Sequence, residues 1–323
     1  MTKDYRNDGL QYGKAPGDEN RYTLGELGSK PVVLVAPRDI GTTNMRDLAR
    51  QLRFSFPNVS YALVVGICGG APFVHDGKAW VESDIHLGDV IVSTHVIQFD
   101  FGKQYENGFA RKSEVESALP RAPAEVANFV NTFVRGKGSA FKRLFNGTNA
   151  SLEDYLDLET DKGGFHTRPE SGSDRVYDRR LRHKHHELGV CSKCDECTEW
   201  YHDVCDAAIR ASCDDLGCQP CQTHSNRETK IHFGRYASGN AVMKSAHRRD
   251  AIIKEEHVVG FEMEGAGAWE VLATIVIKGV VDYADSHKSK QWRGYPAARA
   301  ALCAKTLIEE IDLPDSGREH APS

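Results

Sequence analysis

Nowhere in its 323 residues does the chain carry an apolar run approaching the ~20 residues of a membrane span. The opening, Met1-Thr-Lys-Asp-Tyr-Arg-Asn-Asp, has no apolar core of leader-peptide length. A basic surplus is missing as well. The 41 Lys and Arg face 46 Asp and Glu, a formal charge of −5, so neither nucleic acid nor an anionic membrane is expected as a partner. No internal repeat and no sustained low-complexity tract breaks the chain. A cytoplasmic location is expected, with the nucleus left open. What the chain has is 40% hydrophobic residues, enough for a real core, and nine cysteines, seven of them between Cys191 and Cys221. In a reducing compartment such a cluster more often holds metal than disulfides.

Residues 1–21 read as a loose lead-in, with Tyr22-Thr-Leu-Gly-Glu-Leu-Gly a first short strand. Pro31-Val-Val-Leu-Val-Ala-Pro37 is a β-branched run and predicts another. Thr42 to Phe54 predicts a helix with Met45, Leu48, Ala49 and Leu52 on its apolar face. Tyr61-Ala-Leu-Val-Val-Gly66 is continuously apolar, as a strand covered on both faces should be, and Asp89 to Thr94 gives the next. Ala273 to Val281 is strand-like again, and after Pro296 a closing helix carries Ala297, Ala300, Ala301, Ala304, Leu307, Ile308 and Ile311 as its stripe. The alternation predicts a layered α/β domain over 22–150 and 225–313. It is interrupted by a charged, Cys/His-rich insertion over 151–224 and followed by a solvated tail over 314–323.

Three places could carry chemistry. Val64-Val-Gly66-Ile-Cys-Gly69-Gly70 predicts a buried strand ending in a glycine turn, where a ligand can approach main-chain N–H groups; a tight turn alone would look the same. Phe261-Glu-Met-Glu264 precedes Gly265-Ala-Gly-Ala-Trp, so Glu264 at a helix base could take two sugar hydroxyls through its two oxygens. An acid favouring the helix dipole suits that position too, and Glu262 equally. Asp282 follows the apolar run directly, and desolvation at such a strand end raises a carboxyl pKa, as a general acid requires. Asp282 also suits a strand-terminating turn, and Asp285 a cap.

Taken in order, Tyr22-Thr-Leu-Gly, Gly41-Thr-Thr-Asn, Val65-Gly-Ile-Cys-Gly-Gly70, Leu87-Gly-Asp-Val-Ile-Val-Ser, Gln98-Phe-Asp-Phe-Gly-Lys103, Ile231-His-Phe-Gly, Ala237-Ser-Gly-Asn240, Phe261-Glu-Met-Glu264 and Asp282-Tyr-Ala-Asp-Ser-His-Lys288 form a specific set. The chain thereby resembles the nucleoside phosphorylase and nucleosidase superfamily, most closely its fungal branch of purine and uridine phosphorylase domains. The resemblance implies a three-layer α/β fold with a mixed central sheet, and cleavage of the N-glycosidic bond of a purine nucleoside or nucleotide. It implies that Glu264 grips the ribose hydroxyls, Met263 packs against sugar and base, and Asp282 protonates the departing purine. Gly66, Gly69, Gly70, Ser238, Gly239 and Asn240 are expected to line the pocket, with Glu262 in support. Members assemble as homo-oligomers and often front larger fungal immune-type receptors.

The chain departs from the family in three respects. No first-strand word precedes Tyr22, and Lys278 stands where relatives carry arginine, keeping charge but losing the planar fork. The glycine word also offers no phosphate-binding arginine or serine. Arg38, Thr42 and Thr43 are the nearest candidates should phosphate be the cosubstrate, and hydrolysis is favoured over phosphorolysis. A non-catalytic nucleoside sensor or interaction protein is the alternative.

The insertion reads Cys191-x2-Cys194-x2-Cys197-x4-His202-x2-Cys205-x7-Cys213-x4-Cys218-x2-Cys221, with the pair spacing of structural zinc. Cys194 to Cys205 with Cys218-x2-Cys221 is similar to the latter part of a plant homeodomain finger. A reduced version would bind zinc through Cys194, Cys197, Cys218 and Cys221, leaving Cys191, His202, Cys205 and Cys213 for a second site. His183, His185 and His186 could be metal ligands, although a solvated basic run is the favoured account.

Overall fold

The computed structural model of the chain describes residues 3–4, 14–106, 108–114, 118–135, 139–159, 166–225 and 227–311. The expected tail over 314–323 lies outside them. Five strands form the centre, in the order Ile231–Ser238, Val258–Glu262, Ala62–Gly70, Thr274–Asp282, Val90–Gln98, and the last pairs back onto the first to close a barrel. The sheet is mixed, as expected. Ala62–Gly70 runs parallel to Thr274–Asp282 but antiparallel to Val258–Glu262, and Thr274–Asp282 is antiparallel to Val90–Gln98.

Helices cover the barrel on two sides. Met45 and Leu48 of the helix Thr42–Ser55 pack into one apolar cluster with Val64, Val276 and Trp269. Val130 and Phe133 of the helix Ala124–Arg135 pack into another with Ala300, Ala304 and Leu307 of the closing helix Gly294–Glu310. The stripe expected on Thr42–Ser55 is buried as read. That of the closing helix is rotated, with Ala301 exposed and Cys303 buried in its place. Gly279 sits beneath this helix, and a Cβ there would lie 2.1 Å from the Pro296 carbonyl oxygen.

Other expectations shift. Tyr22–Leu27 and Lys30–Val35 are strands, but they pair with each other and with Lys3–Asp4 in a separate sheet outside the barrel. The strand Ala62–Gly70 is not covered on both faces, since the described residues leave Val65 and Ile67 40% and 38% exposed. Of the lead-in, residues 14–21 are tied to the helix Thr42–Ser55: Ala15 N donates to Ser55 Oγ at 2.9 Å and Glu19 N to Gln51 Oε1 at 2.9 Å. A helix, Ser139–Glu159, runs across residue 151, with Leu152 buried in the first core cluster. No helix among the described residues is long and apolar enough to cross a membrane.

Candidate active site

The glycine word does not end in a turn. Gly66, Gly69 and Gly70 all lie within the strand Ala62–Gly70, and their missing side chains make room for neighbouring side chains rather than for ligand N–H contacts. A Cβ on Gly66 would meet Lys278 Nζ at 3.3 Å, one on Gly69 would meet Asp282 Oδ1 at 2.8 Å, and one on Gly70 would meet Val280 Cγ1 at 2.8 Å. The register agrees, pairing Lys278 with Gly66 and Asp282 with Gly69. The bare strand therefore seats the two charged side chains of its neighbour.

Lys278 is the cation of the first group. It donates to Glu264 Oε2 at 2.7 Å and lies 3.7 Å from Glu262 Oε2. Burial pulls its pKa down, but Glu262 and Glu264 more than offset this and hold it above the usual lysine value. Glu262 does what the sequence left open for it, because its Oε2 accepts Glu264 N at 2.9 Å and Gly265 N at 2.8 Å and so caps the short helix Gly265–Trp269. Glu264 thus stands at the helix base as expected, with one carboxylate oxygen on Lys278. Met263 beside it is half-buried.

Asp282 forms the second group, at the end of its strand and 13% exposed. Burial raises its pKa, against the opposing pull of Lys288 and the Ala284 N–H. Lys288 Nζ donates to Oδ2 at 2.9 Å and Ala284 N to Oδ1 at 2.8 Å. Ala284 itself holds a left-handed φ of 54°, costly for a residue with a Cβ. Cys68 connects the groups: burial pushes its thiol up to about 12, and it senses the charges of Lys278, Asp282 and Glu262. Two cavities lie away from both acids, one lined by Arg168, Asp174, His224 and Trp292, the other by Ser93, Thr94, Val130 and Trp269. At the acids, Lys278 and Lys288 hold the two carboxylates.

Three distant sequence words converge nearby. Asn240 Oδ1 accepts Thr42 N at 2.9 Å and Thr42 Oγ1 at 3.0 Å, while Asn240 N donates to Asp100 Oδ2 at 2.6 Å. Gly41, with φ 113°, is required here, since a Cβ would fall 2.9 Å from Asn240 Oδ1. Gly239 lies against Phe99 and Asp100, where a Cβ would come within 2.6 Å and 2.9 Å. Ser238 is buried and its Oγ accepts Ala266 N at 3.0 Å, so it braces the helix that follows Glu264. Arg38 falls away from this group: its side chain is 78% exposed and pairs with Glu19. Thr43 is exposed. Lys288 and Asp100 also stand at the site, although neither was expected there from the sequence.

Comparison with known proteins agrees with this fold. The family model of the phosphorylase superfamily matches residues 2–162. The chain belongs to the phosphorylase superfamily. Its fold is that of solved superfamily nucleosidases: 5'-methylthioadenosine/S-adenosylhomocysteine nucleosidase from Helicobacter pylori superposes with a TM-score of 0.52 at 13% identity, over 94% of this chain and 90% of that one. Futalosine hydrolase from Helicobacter pylori gives 0.50 at 13%, over 94% and 91%. A nucleotide-binding leucine-rich repeat (NLR)-like protein from Hyaloscypha variabilis is 31% identical over 297 residues, 90% of this chain and 26% of that protein. The chain thus spans roughly a quarter of that relative's length.

On this superfamily fold, the Cys/His-rich segment docks directly against the loop after Asp282. Tyr283 Oη donates to Asp174 Oδ1 at 2.8 Å, Trp292 Nε1 donates to Ser173 O at 3.3 Å, and Tyr177 stacks on His287 with ring centroids 4.2 Å apart. The thiols group differently from the spacing-based expectation. Cys194 stands with Cys191 and Cys205, and Cys218 with Cys213 and His183; within each trio, one ligand atom per residue lies within 4.8 Å of the others. Cys197 and Cys221 leave the expected set, as their thiols donate to the carbonyls of His202 at 3.7 Å and Val176 at 3.3 Å. His202 turns its Nδ1 to the Thr198 and Glu199 N–H groups, both at 3.3 Å. His183 is buried, not part of a solvated run.

Proposed function

We propose that this chain cleaves the N-glycosidic bond of a purine nucleoside or nucleotide, with Asp282 as general acid and Glu264 orienting the ribose. One observation carries the reading: a carboxyl with a burial-raised pKa ends the same barrel strand that, four residues earlier, presents the lysine holding Glu264. Bond breaking leaves positive charge on the ribosyl group and negative charge on the base. A proton delivered from Asp282 neutralises the departing ring, and a carboxylate on the hydroxyls fixes the sugar in line. Lys288 must leave Asp282 for this to happen, and its side chain, 25% exposed, has solvent to move into. Water is favoured over phosphate as nucleophile because Arg38 and Thr43, two of the three candidate phosphate donors, are exposed to solvent and Arg38 is paired with Glu19.

The test is release of free base from adenosine, inosine, uridine, AMP or ATP, with and without phosphate. Base from none of them would count against catalysis, and a phosphate requirement would mark a phosphorylase. A structural zinc at the Cys191, Cys194 and Cys205 trio belongs to this reading, as does assembly into a homo-oligomer, which sedimentation would read.

The closed state of the acids favours a second reading. Each carboxylate is already paired with a lysine, so a nucleoside-binding sensor without turnover fits too, and the NLR-like relative is in keeping with it. Ligand-dependent rise of the melting temperature without any base released would select this alternative.

A further inference from the structure

His287 is a buried side chain without a role in the proposed reaction. It is 2% exposed, and neither ring nitrogen has a hydrogen-bond partner among the described residues; Asp285 Oδ1 lies 3.8 Å from Nδ1. A buried polar group left so calls for an explanation. The ring is sandwiched by the Cys/His-rich segment, stacked on Tyr177 and edge-on to His183 with centroids 5.3 Å apart. His183 belongs to the trio with Cys213 and Cys218, whose ligand atoms lie within 4.8 Å of one another. Around a tetrahedral zinc with Zn–S of ~2.3 Å and Zn–N of ~2.0 Å, ligand atoms sit ~3.3–3.8 Å apart, so a small contraction brings the trio to that size, and His287, which stands outside the 4.8 Å grouping, has to turn its ring toward it.

We propose that His183, Cys213, Cys218 and His287 bind one zinc-type divalent cation, which clamps the Cys/His-rich segment onto the loop carrying Asp282 and Lys288. Two thiolates and two imidazoles form a closed structural set with no position left for water. Hydrogen bonding within the trio accounts for three of the side chains but leaves both nitrogens of His287 with nothing, whereas an ion uses all four. The site is separate from the Cys191, Cys194 and Cys205 trio, and it does not depend on nucleoside cleavage.

Cobalt titration of the full chain, stripped of metal under reducing conditions, tests it. A Cys191→Ser/Cys194→Ser/Cys205→Ser background removes the other trio and keeps the proposed one. One equivalent of cobalt should bind there, with the visible bands of four-coordinate cobalt and a near-ultraviolet thiolate-to-cobalt band. Adding His287→Ala should weaken binding by at least the ~10–100-fold that loss of a supporting partner costs. His287→Cys should retain the ion and raise the thiolate band ~1.5-fold, three thiolates replacing two. Hydrogen exchange of residues 283–288 should slow on loading. No cobalt bound in the background variant, unchanged affinity in His287→Ala, an unaltered thiolate band in His287→Cys, or exchange indifferent to metal would overturn the proposal. Should His287→Ala fail to fold, the cysteine variant still decides.

Discussion

The strand Thr274–Asp282 buries eight consecutive residues before reaching Asp282, while the apolar cluster of the Cys/His-rich segment consists of Tyr177, Cys194, Ala208, Leu216 and Cys218. In the first region hydrophobic burial and a closed hydrogen-bond ladder hold the chain. In the second, two of five cluster members are thiols, and Leu188, Trp200 and Tyr201 are 60% exposed or more. The barrel can stand on its own packing. The segment has too little apolar material for that and leans on its sulfur clusters, although it packs on the loop that matters most for chemistry.

Removing metal should separate the two regions most widely. Structural zinc contributes ~10–16 kcal/mol in small metal-dependent domains, so chelation should open residues 178–225 to limited proteolysis while the barrel persists as a resistant core. Equal resistance before and after chelation would break the comparison. Asp282→Asn should lower turnover by ~10²–10⁴-fold with the far-ultraviolet spectrum unchanged. In the parent protein the acid works protonated, so base release should fall as pH rises through its folded pKa, at a higher pH than an ordinary carboxyl would give because the shift is upward. A rate rising over that interval would remove Asp282 from the role.

Within the barrel, Lys278→Met should destabilise by ~3–5 kcal/mol, read by urea unfolding, since Glu262 and Glu264 would stay buried without their cation. The folded lysine pKa lies above the unfolded one. Its contribution is therefore complete below the unfolded value and is lost as pH rises through the folded value. Arg38→Ala sets the lower end of the scale, with ~0–1 kcal/mol expected for a pair exposed at 78% and 67%.

The same contrast decides what could be read from the sequence. The helix Thr42–Ser55 and the strand before Asp282 were legible because periodicity and continuous apolar runs report burial directly. Glu264 at its helix base and Asp282 at its strand end were legible for the same reason, as positions at the edge of such patterns. Arg249, fully buried and donating to Tyr283 O at 2.8 Å, was not, because nothing in its helix pattern marks it as interior. The thiol grouping was not legible either. Cys-x2-Cys spacing reports local proximity, whereas His183 meets Cys213 across an intervening stretch and His287 arrives from another part of the fold. The pairing of the hairpin Tyr22–Val35 with itself, outside the barrel, rests on the same gap between a strand's existence and its partner.

The backbone at Ala284 adds a mechanical consequence. A residue with a Cβ in the left-handed region sits ~1–2 kcal/mol above its relaxed conformation, and here the turn is cinched from one side by Asp282 and from the other by the docked segment. Such a turn keeps its strain only while Asp282 and the docked segment hold it. Glycine at 284 would relieve that strain without removing either restraint.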